Sequence, residues 1–561
     1  MIRLSGPLLI GAALVLALVA CGDSGTDDST PEPSVCVEGV AAPGPSPIRR
    51  MTRFEYNNTV RDLLGDSTEP ARDFPIEEEA HGFANNANDL VVTPALAEKY
   101  MLAAEGVASR AAADPGALTG CMAGANAAST DDCMRSFFAT FGKRAYRRPM
   151  TTEEVEGLVD LFHQGEAIGM TRTSSANEKF RGGVTLALES MLESADFLYR
   201  VELSENASPV DAAGTVVPLD SWEMASRLSY FLWASMPDEE LFTAAESGEL
   251  ATKEQVATQA RRMLNDPRAR DAVAMFHQQW LDYDRIGNVG KDATMFPEWS
   301  SAIGDLMKEE MRGFIDHVVF DGEGDLRTLL TAPYTYASED LAKFYGVSGG
   351  GKNGALERVD FDPKKHAGIL SMGAILGYYA HSDQTSPVLR GKLVREVFLC
   401  DTLDPPPAMF QAPMPDPTTT GRERAKQHAA GGCANCHKLM DPIGFGFENF
   451  DALGRWRDEE NGAPIDVSGS IIESDVDGNF NGVRDLTSRL ARSKDVQACY
   501  AKMWFRFAYG RMESEEDACS MEQVTNTFNQ SGGNVKELLV ALTQTDAFMY
   551  RHPGTTKAGQ K

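Results

Sequence analysis

Gly432-Cys433-Ala434-Asn435-Cys436-His437 constrains this chain more than any other stretch. Two thiols one helical turn apart, followed at once by an imidazole, make the Cys-x-x-Cys-His pattern of covalent c-type haem attachment. The spacing has a chemical reason. The two thiols add to the two vinyl groups of one haem, and the adjacent imidazole then lies beneath the iron as its proximal ligand. With nine Cys and nine His in 561 residues, the pattern is rare by chance. Two other chemistries share Cys-x-x-Cys. A thioredoxin-like dithiol wants a βαβ setting and a lowered thiol pKa, whereas the flanks here read as helix and loop. A zinc site wants a fourth ligand and usually a second Cys or His pair nearby. The expectation is one covalent haem c on Cys433 and Cys436, with His437 as proximal iron ligand.

The sixth iron position is open to several readings. An electron carrier fills it with Met or His, and a catalytic haem leaves it empty. Met440 lies three residues after His437 on the proximal side and is excluded. His428 lies too close before Cys433 to wrap round the porphyrin. His381, in the loop Ala-His-Ser-Asp-Gln-Thr-Ser-Pro, and Met503 are the leading candidates, with Met512 and Met549 behind them. For each Met, core packing is the simpler role.

The N-terminus sets the compartment. Met1-Ile2-Arg3 is a short positive start, and the apolar run from Leu8 to Ala20 has the length of a signal h-region rather than a span. Leu18-Val19-Ala20-Cys21 resembles a bacterial lipobox, which makes residues 1–20 a signal peptide and Cys21 the lipidated first residue. Residues 21–47, rich in Gly, Ser, Thr, Asp and Pro, read as a flexible tether. Gly22 and Asp23 after the lipidated Cys lean towards a periplasm-facing or surface-exposed lipoprotein of the outer membrane. The lipid is then the chain's hold on a membrane. An exported chain can form disulfides. Setting aside Cys21, Cys433 and Cys436 leaves six cysteines. Cys121–Cys133 and Cys499–Cys519 are close pairs flanked by helical patterns and are expected to bridge, which leaves Cys36–Cys400 by elimination. Lys and Arg total 53 against 82 Asp and Glu, a net charge of −29. So acidic a chain is a poor match for a nucleic-acid backbone.

Hydrophobic periodicity predicts a mainly α, multi-module chain. Helices are expected at 53–64 (capped by Thr52, stopped by Gly65), 94–113, 129–148, 151–164, 220–234, 253–264, 266–283, 300–320, 338–345, 386–400, 420–430, 436–440, 484–492, 495–510, 518–530 and 533–549. Thr215–Leu219 is the clearest strand, and residues 403–420 are proline-rich and extended.

The stretch from Cys433 to Arg457, CANCHKLMDPIGFGFENFDALGRWR, resembles the haem-binding module of the planctomycete- and myxobacterial-type exported cytochrome c proteins. Those chains string together modules known as DUF1587, DUF1595, DUF1592, DUF1588 and DUF1585. RRMTRFEYNNTVRDLLG at 49–65, FGKRAYRRPMTTEE at 141–154, SRLSYFLWASMPDEEL at 226–241, TSPVLRGKLVREVFLC at 385–400 and CYAKMWFRFAYGRMESEEDAC at 499–519 are similar to the five in that order. The resemblance implies a DUF1587-like module at 48–120, a DUF1595-like module at 121–205 and a DUF1592-like module at 206–355. A DUF1588-like, cytochrome c-like haem module follows at 356–480, and a DUF1585-like module at 481–561. It also implies that Asp441, Pro442, Gly444, Phe445 and Asp451 shape the haem pocket. Arg390 and Arg395 are candidates for the haem propionates, against a surface or helix-dipole role. Gln384 departs from the Arg that the family often places before Thr-Ser-Pro.

Other motifs weigh less. Asp475-Val-Asp477-Gly-Asn479-Phe-Asn481 resembles part of a calcium loop but lacks its Gly and its Glu, and a strand-loop reading is preferred. No hydrolase, kinase or dinucleotide motif is present in the sequence. The leading expectation is one-electron transfer at the cell envelope with a redox partner protein. Behind it stand a haem oxidoreductase with an open sixth site, acting on peroxide or an organic substrate, and a binding scaffold with structural haem.

Overall fold

The computed structural model describes residues 36, 40–124, 127–168, 175–203, 208–211, 214–403, 416, 418–428 and 434–552. The signal peptide, Cys21, most of the tether and Cys433 lie outside the described residues.

The fold is mainly α. Local signals set many helix ends. In the helix Arg53–Leu64, Thr52 and Glu55 form a capping box and Gly65 closes the C-terminus at φ 72°. The box satisfies two N-terminal amides that would otherwise lack partners, and glycine takes the left-handed turn without strain. The helix Ala176–Glu193 is not among the expected helices, and it carries Gly182-Gly183 in its interior, where glycine is a poor helix former. In the fold these glycines are a contact: a Cβ at Gly183 would fall 2.6 Å from Phe162 O, and one at Gly182 2.8 Å from Gly165 O. Thr152–Ile168 and Ala176–Glu193 therefore pack almost backbone to backbone.

Every strand pair among the described residues is two-stranded and antiparallel. The expected 215–219 strand shrinks to Val217–Pro218, which pairs with Tyr550–Arg551. The expected 386–400 helix runs as Pro387–Leu393 and then widens into a π-helical turn, Val394–Phe398.

Two large cores form. One is built from residues 51 to 198 with Tyr230 and Met236. The other joins Phe83 to side chains from 219 to 549, so the last three expected modules share one interior. No helix of the described residues is long and apolar enough to cross a membrane.

Two disulfide expectations are corrected. Cys499 bridges Cys400, with Cα atoms 5.5 Å apart, and Cys36 bridges Cys519 at 4.7 Å. The expected Cys499–Cys519 and Cys36–Cys400 pairs do not form, because Cys499 lies towards the 394–398 turn, where its sulfur also approaches Val397 O. Cys121 is bridged to Cys133. The end of the expected tether is also fixed rather than loose. Arg511 grips Asp517 and donates to Pro43 O at 3.1 Å. Gly44, at φ 64°, sits so close that a Cβ would lie 2.7 Å from both side chains.

Candidate cofactor site

The motif helix is Ala434–Gly444. Three glycines bring neighbouring backbone against it. A Cβ on Gly391 would overlap Met440 O, one on Gly444 would overlap Pro387 O, and one on Gly469 would overlap Pro442 O. The helix Pro387–Leu393 and the strand Ser468–Ile471 thus hold the motif helix from two sides. Pro442 gives up one helical amide and places its carbonyl against Gly469.

His437 and Asp441 lie one turn apart. His437 Nδ1 is 3.0 and 3.1 Å from the two Asp441 carboxylate oxygens. Their side chains are 14% and 6% exposed. A carboxylate accepts and cannot donate, so Nδ1 carries the proton and Nε2 keeps its lone pair. That is the tautomer and the orientation a metal-ligating histidine needs from its outer partner. Cys436 precedes it, half-buried and free, while the other described cysteines are bridged. Among the described residues no group of three or more His, Cys, Asp or Glu gathers for a metal ion. One imidazole beside one free thiol on a helix matches the proximal half of a haem site. Asp441 was read from the sequence only as a pocket residue. The spacing His437-x-x-x-Asp441 carried the closer assignment.

Arg390 and Arg395, the candidates for the haem propionates, are buried rather than on the surface, the other role open to them. Both guanidiniums are 1% exposed and bind backbone carbonyls. Arg390 donates to Phe447 O, Phe450 O, Leu376 O and Asp451 O at 2.8–3.0 Å. Burial pulls its pKa down to about 10. Arg395 donates to Leu439 O, Ile472 O and Asp401. Arg390 ties the stretch after the motif helix to Leu376, and Arg395 ties the motif helix itself to Ile472.

A charged network escaped the sequence reading. Glu448 accepts from Thr385 Oγ1 at 2.8 Å, and Glu460 accepts from Arg424 and from the Gly421 amide at 2.7 Å. Arg457 lies 3.5 Å from Glu448 and 3.2 Å from Glu460. It anchors Gly421–His428, the helix just before the motif. Phe445 is buried and Arg422 stacks on its ring at 3.9 Å. Asp451 binds the Leu453 and Arg455 amides and the Arg455 side chain, so it shapes a turn.

The sixth-ligand candidates lie in other surroundings. His381 is exposed in a loop whose carbonyl accepts from Lys291 Nζ at 3.0 Å. Met503 belongs to the large core, and Met549 does too; Met512 is exposed. Of the calcium-loop residues, Asp475 accepts from Ser493 Oγ and the Lys494 amide at the start of a helix, and Gly478–Asn481 forms a strand.

Five family models match, each described as a protein of unknown function. They are DUF1587 over 49–113, DUF1595 over 133–202, DUF1592 over 219–347, DUF1588 over 366–460 and DUF1585 over 477–548. No curated protein matches the chain, and no solved structure does. The motif helix falls within the DUF1588 match. With all five modules present in order, the chain belongs to the family built from DUF1587, DUF1595, DUF1592, DUF1588 and DUF1585, a cytochrome c family architecture.

Proposed function

We propose that the chain is an exported, lipid-anchored c-type cytochrome with one haem, which passes single electrons to or from a partner protein at the cell envelope. The observation that carries this reading is the His437–Asp441 pair beside the free Cys436. Cys433 and Cys436 would hold the haem covalently, and His437 Nε2 would ligate its iron. Bound, the haem supplies reversible one-electron storage. Asp441 keeps the proton on His437 Nδ1 and fixes the ring. The glycine contacts at 391, 444 and 469 and the Arg395 clamp on Leu439 O keep the motif helix in place, and Arg390 holds the stretch that follows it. Lipidation at Cys21 anchors the chain, with Gly22 and Asp23 favouring the outer membrane.

A second reading, a haem oxidoreductase with an open sixth position, is favoured by one observation. The partner of His437 Nδ1 is a carboxylate, which makes the imidazole more electron-rich than a neutral partner does. The test is an absorption spectrum of the full chain, produced in a host with c-type maturation and recorded oxidised, reduced, and reduced with carbon monoxide. A c-type spectrum unchanged by carbon monoxide is the carrier's result. A carbon monoxide shift moves the assignment to the open-site enzyme. A folded chain with no haem contradicts both.

A further inference from the structure

The large core holds a tyrosine with an unusual partner. Tyr500, on the helix Lys494–Tyr509, is 1% exposed. Its hydroxyl lies 2.9 Å from Nε2 of His277, which is fully buried on Arg268–Leu281. The tautomer follows from the other ring nitrogen. His277 Nδ1 is 2.8 Å from Val273 O, and a carbonyl only accepts, so Nδ1 carries the proton. Nε2 therefore presents a lone pair, and the Tyr500 hydroxyl donates to it. Packing alone does not ask for this. Tyr509, on the same helix and also buried, satisfies its hydroxyl with Leu542 O and Thr545 Oγ1.

The pair sits in an array of aromatic rings. Trp280 is 5.1 Å from Tyr500 and 5.0 Å from Phe398 between centroids. Trp504 stacks on Phe276 at 3.7 Å, and Phe276 lies 5.9 Å from Trp280. The array ends against the haem module. Phe398 closes the Val394–Phe398 turn, whose Arg395 donates to Leu439 O on the motif helix at 3.2 Å. Cys499, next to Tyr500, is bonded to Cys400 just past that turn.

We propose that Tyr500 is a redox-active tyrosine, wired through Trp280 to the haem module, with His277 as its proton acceptor. An outer-sphere one-electron oxidant takes one electron from the phenol through Trp280, and the phenolic proton moves from Tyr500 Oη to His277 Nε2. The products are a neutral phenoxyl radical, an imidazolium and the oxidant reduced by one electron. A one-electron donor returns the electron, and the proton goes back. The inference rests on the electron-transfer reading for its purpose and not for its chemistry. Burial keeps His277 neutral by pulling its pKa down to about 4, so its lone pair is available in the resting protein.

The test is flash oxidation of the full chain with a photogenerated ruthenium(III) polypyridyl, read by electron paramagnetic resonance after ascorbate is mixed in following the flash to quench exposed radicals. The expected result is an ascorbate-resistant tyrosyl signal that survives in Tyr509→Phe and is lost in Tyr500→Phe. Its formation shows a solvent isotope effect and slows about a hundredfold in His277→Gln, the low end of what a positioned general base contributes. Trp280→Phe leaves the pair in place and lowers the yield, which keeps the test decisive if Tyr500→Phe fails to fold. A signal that persists in Tyr500→Phe, or forms at the same rate in His277→Gln, overturns the proposal. The same flash on the Cys433→Ser, Cys436→Ser chain separates the two readings. A radical there beside a haem-free wild type removes the cytochrome reading and leaves the tyrosine. A haem-bearing wild type without the radical does the reverse.

Discussion

His437 and His277 are both held through Nδ1 by a group one helical turn away, yet they are built for different work. His437 is 14% exposed and leans on the Asp441 carboxylate. His277 is fully buried and leans on the Val273 carbonyl. In each ring the held nitrogen fixes the tautomer and leaves Nε2 as the working atom. His437 follows the free Cys436 in the chain, and in the proposed reading the carboxylate partner would strengthen Nε2 as a ligand. At His277 it meets a phenol inside a sealed core. The comparison teaches that the ring's neighbours, and not the residue type, decide whether a histidine is a ligand or a proton acceptor.

The largest effect that sharpens this contrast is at the ligand. His437→Ala is expected to lose its haem, measured as Soret absorbance per mole of chain, while His277→Ala keeps it. His277→Ala instead lowers stability by about 3 kcal/mol through a core cavity, measured by urea unfolding. Equal haem content in the two variants would break the comparison. Next comes the scaffold under the ligand. Gly391→Ala puts a methyl group into Met440 O, so the haem module is expected to lose about 3 kcal/mol or to reorganise. Thermal unfolding followed at the Soret band checks this, and an unchanged midpoint would mean the motif helix is not held there.

An acid-side effect of similar size is shared by His366, whose pKa burial also lowers to about 4, and His277. Burial pulls the His277 pKa from 6.5 down to about 4. The unfolded chain takes up the proton below about pH 6.5 and the folded chain only below about 4. Stability from this group is therefore intact above pH 6.5 and falls by about 3 kcal/mol as pH drops to 4. Unfolding free energies at pH 7 and 4.5 should converge in His277→Gln relative to wild type; parallel curves would refute the assignment. The smallest effect is electronic. Asp441→Asn replaces a charged partner of Nδ1 by a neutral one, and the haem midpoint potential is expected to rise by about 60 mV, a tenfold change for one electron. Spectroelectrochemistry reads it, and a fall in potential would contradict the role given to Asp441.

The sequence made some of this visible and hid the rest for physical reasons. The Cys433, Cys436 and His437 pattern stands out because covalent haem attachment, as proposed, would fix both residue type and spacing. The start of Arg53–Leu64 is legible because a capping box is local. Gly182-Gly183 and Gly391 were opaque, since a glycine that breaks a helix and one that lets two helices touch look alike in one dimension. Arg390 reads the same whether it meets a propionate or four carbonyls, and only the fold supplies the carbonyls. The disulfides failed for a related reason. Cys499 and Cys519 are neighbours in sequence, but Cys499 turns towards Cys400 of the haem module and Cys519 meets Cys36 from the N-terminal segment. Pairing follows distance between side chains, and proximity along the chain is a weak guide once helices intervene.

The central claim is that Cys433 and Cys436 carry one haem through covalent bonds. Denaturing mass spectrometry of the purified full-length product, made with c-type maturation enzymes present, tests it most directly. The account predicts a mass increase of one haem that survives denaturation, maps to the peptide containing Cys433 and Cys436, and disappears in the Cys433→Ser, Cys436→Ser chain. A folded wild-type product at the bare polypeptide mass, or a haem that leaves on denaturation, would contradict it.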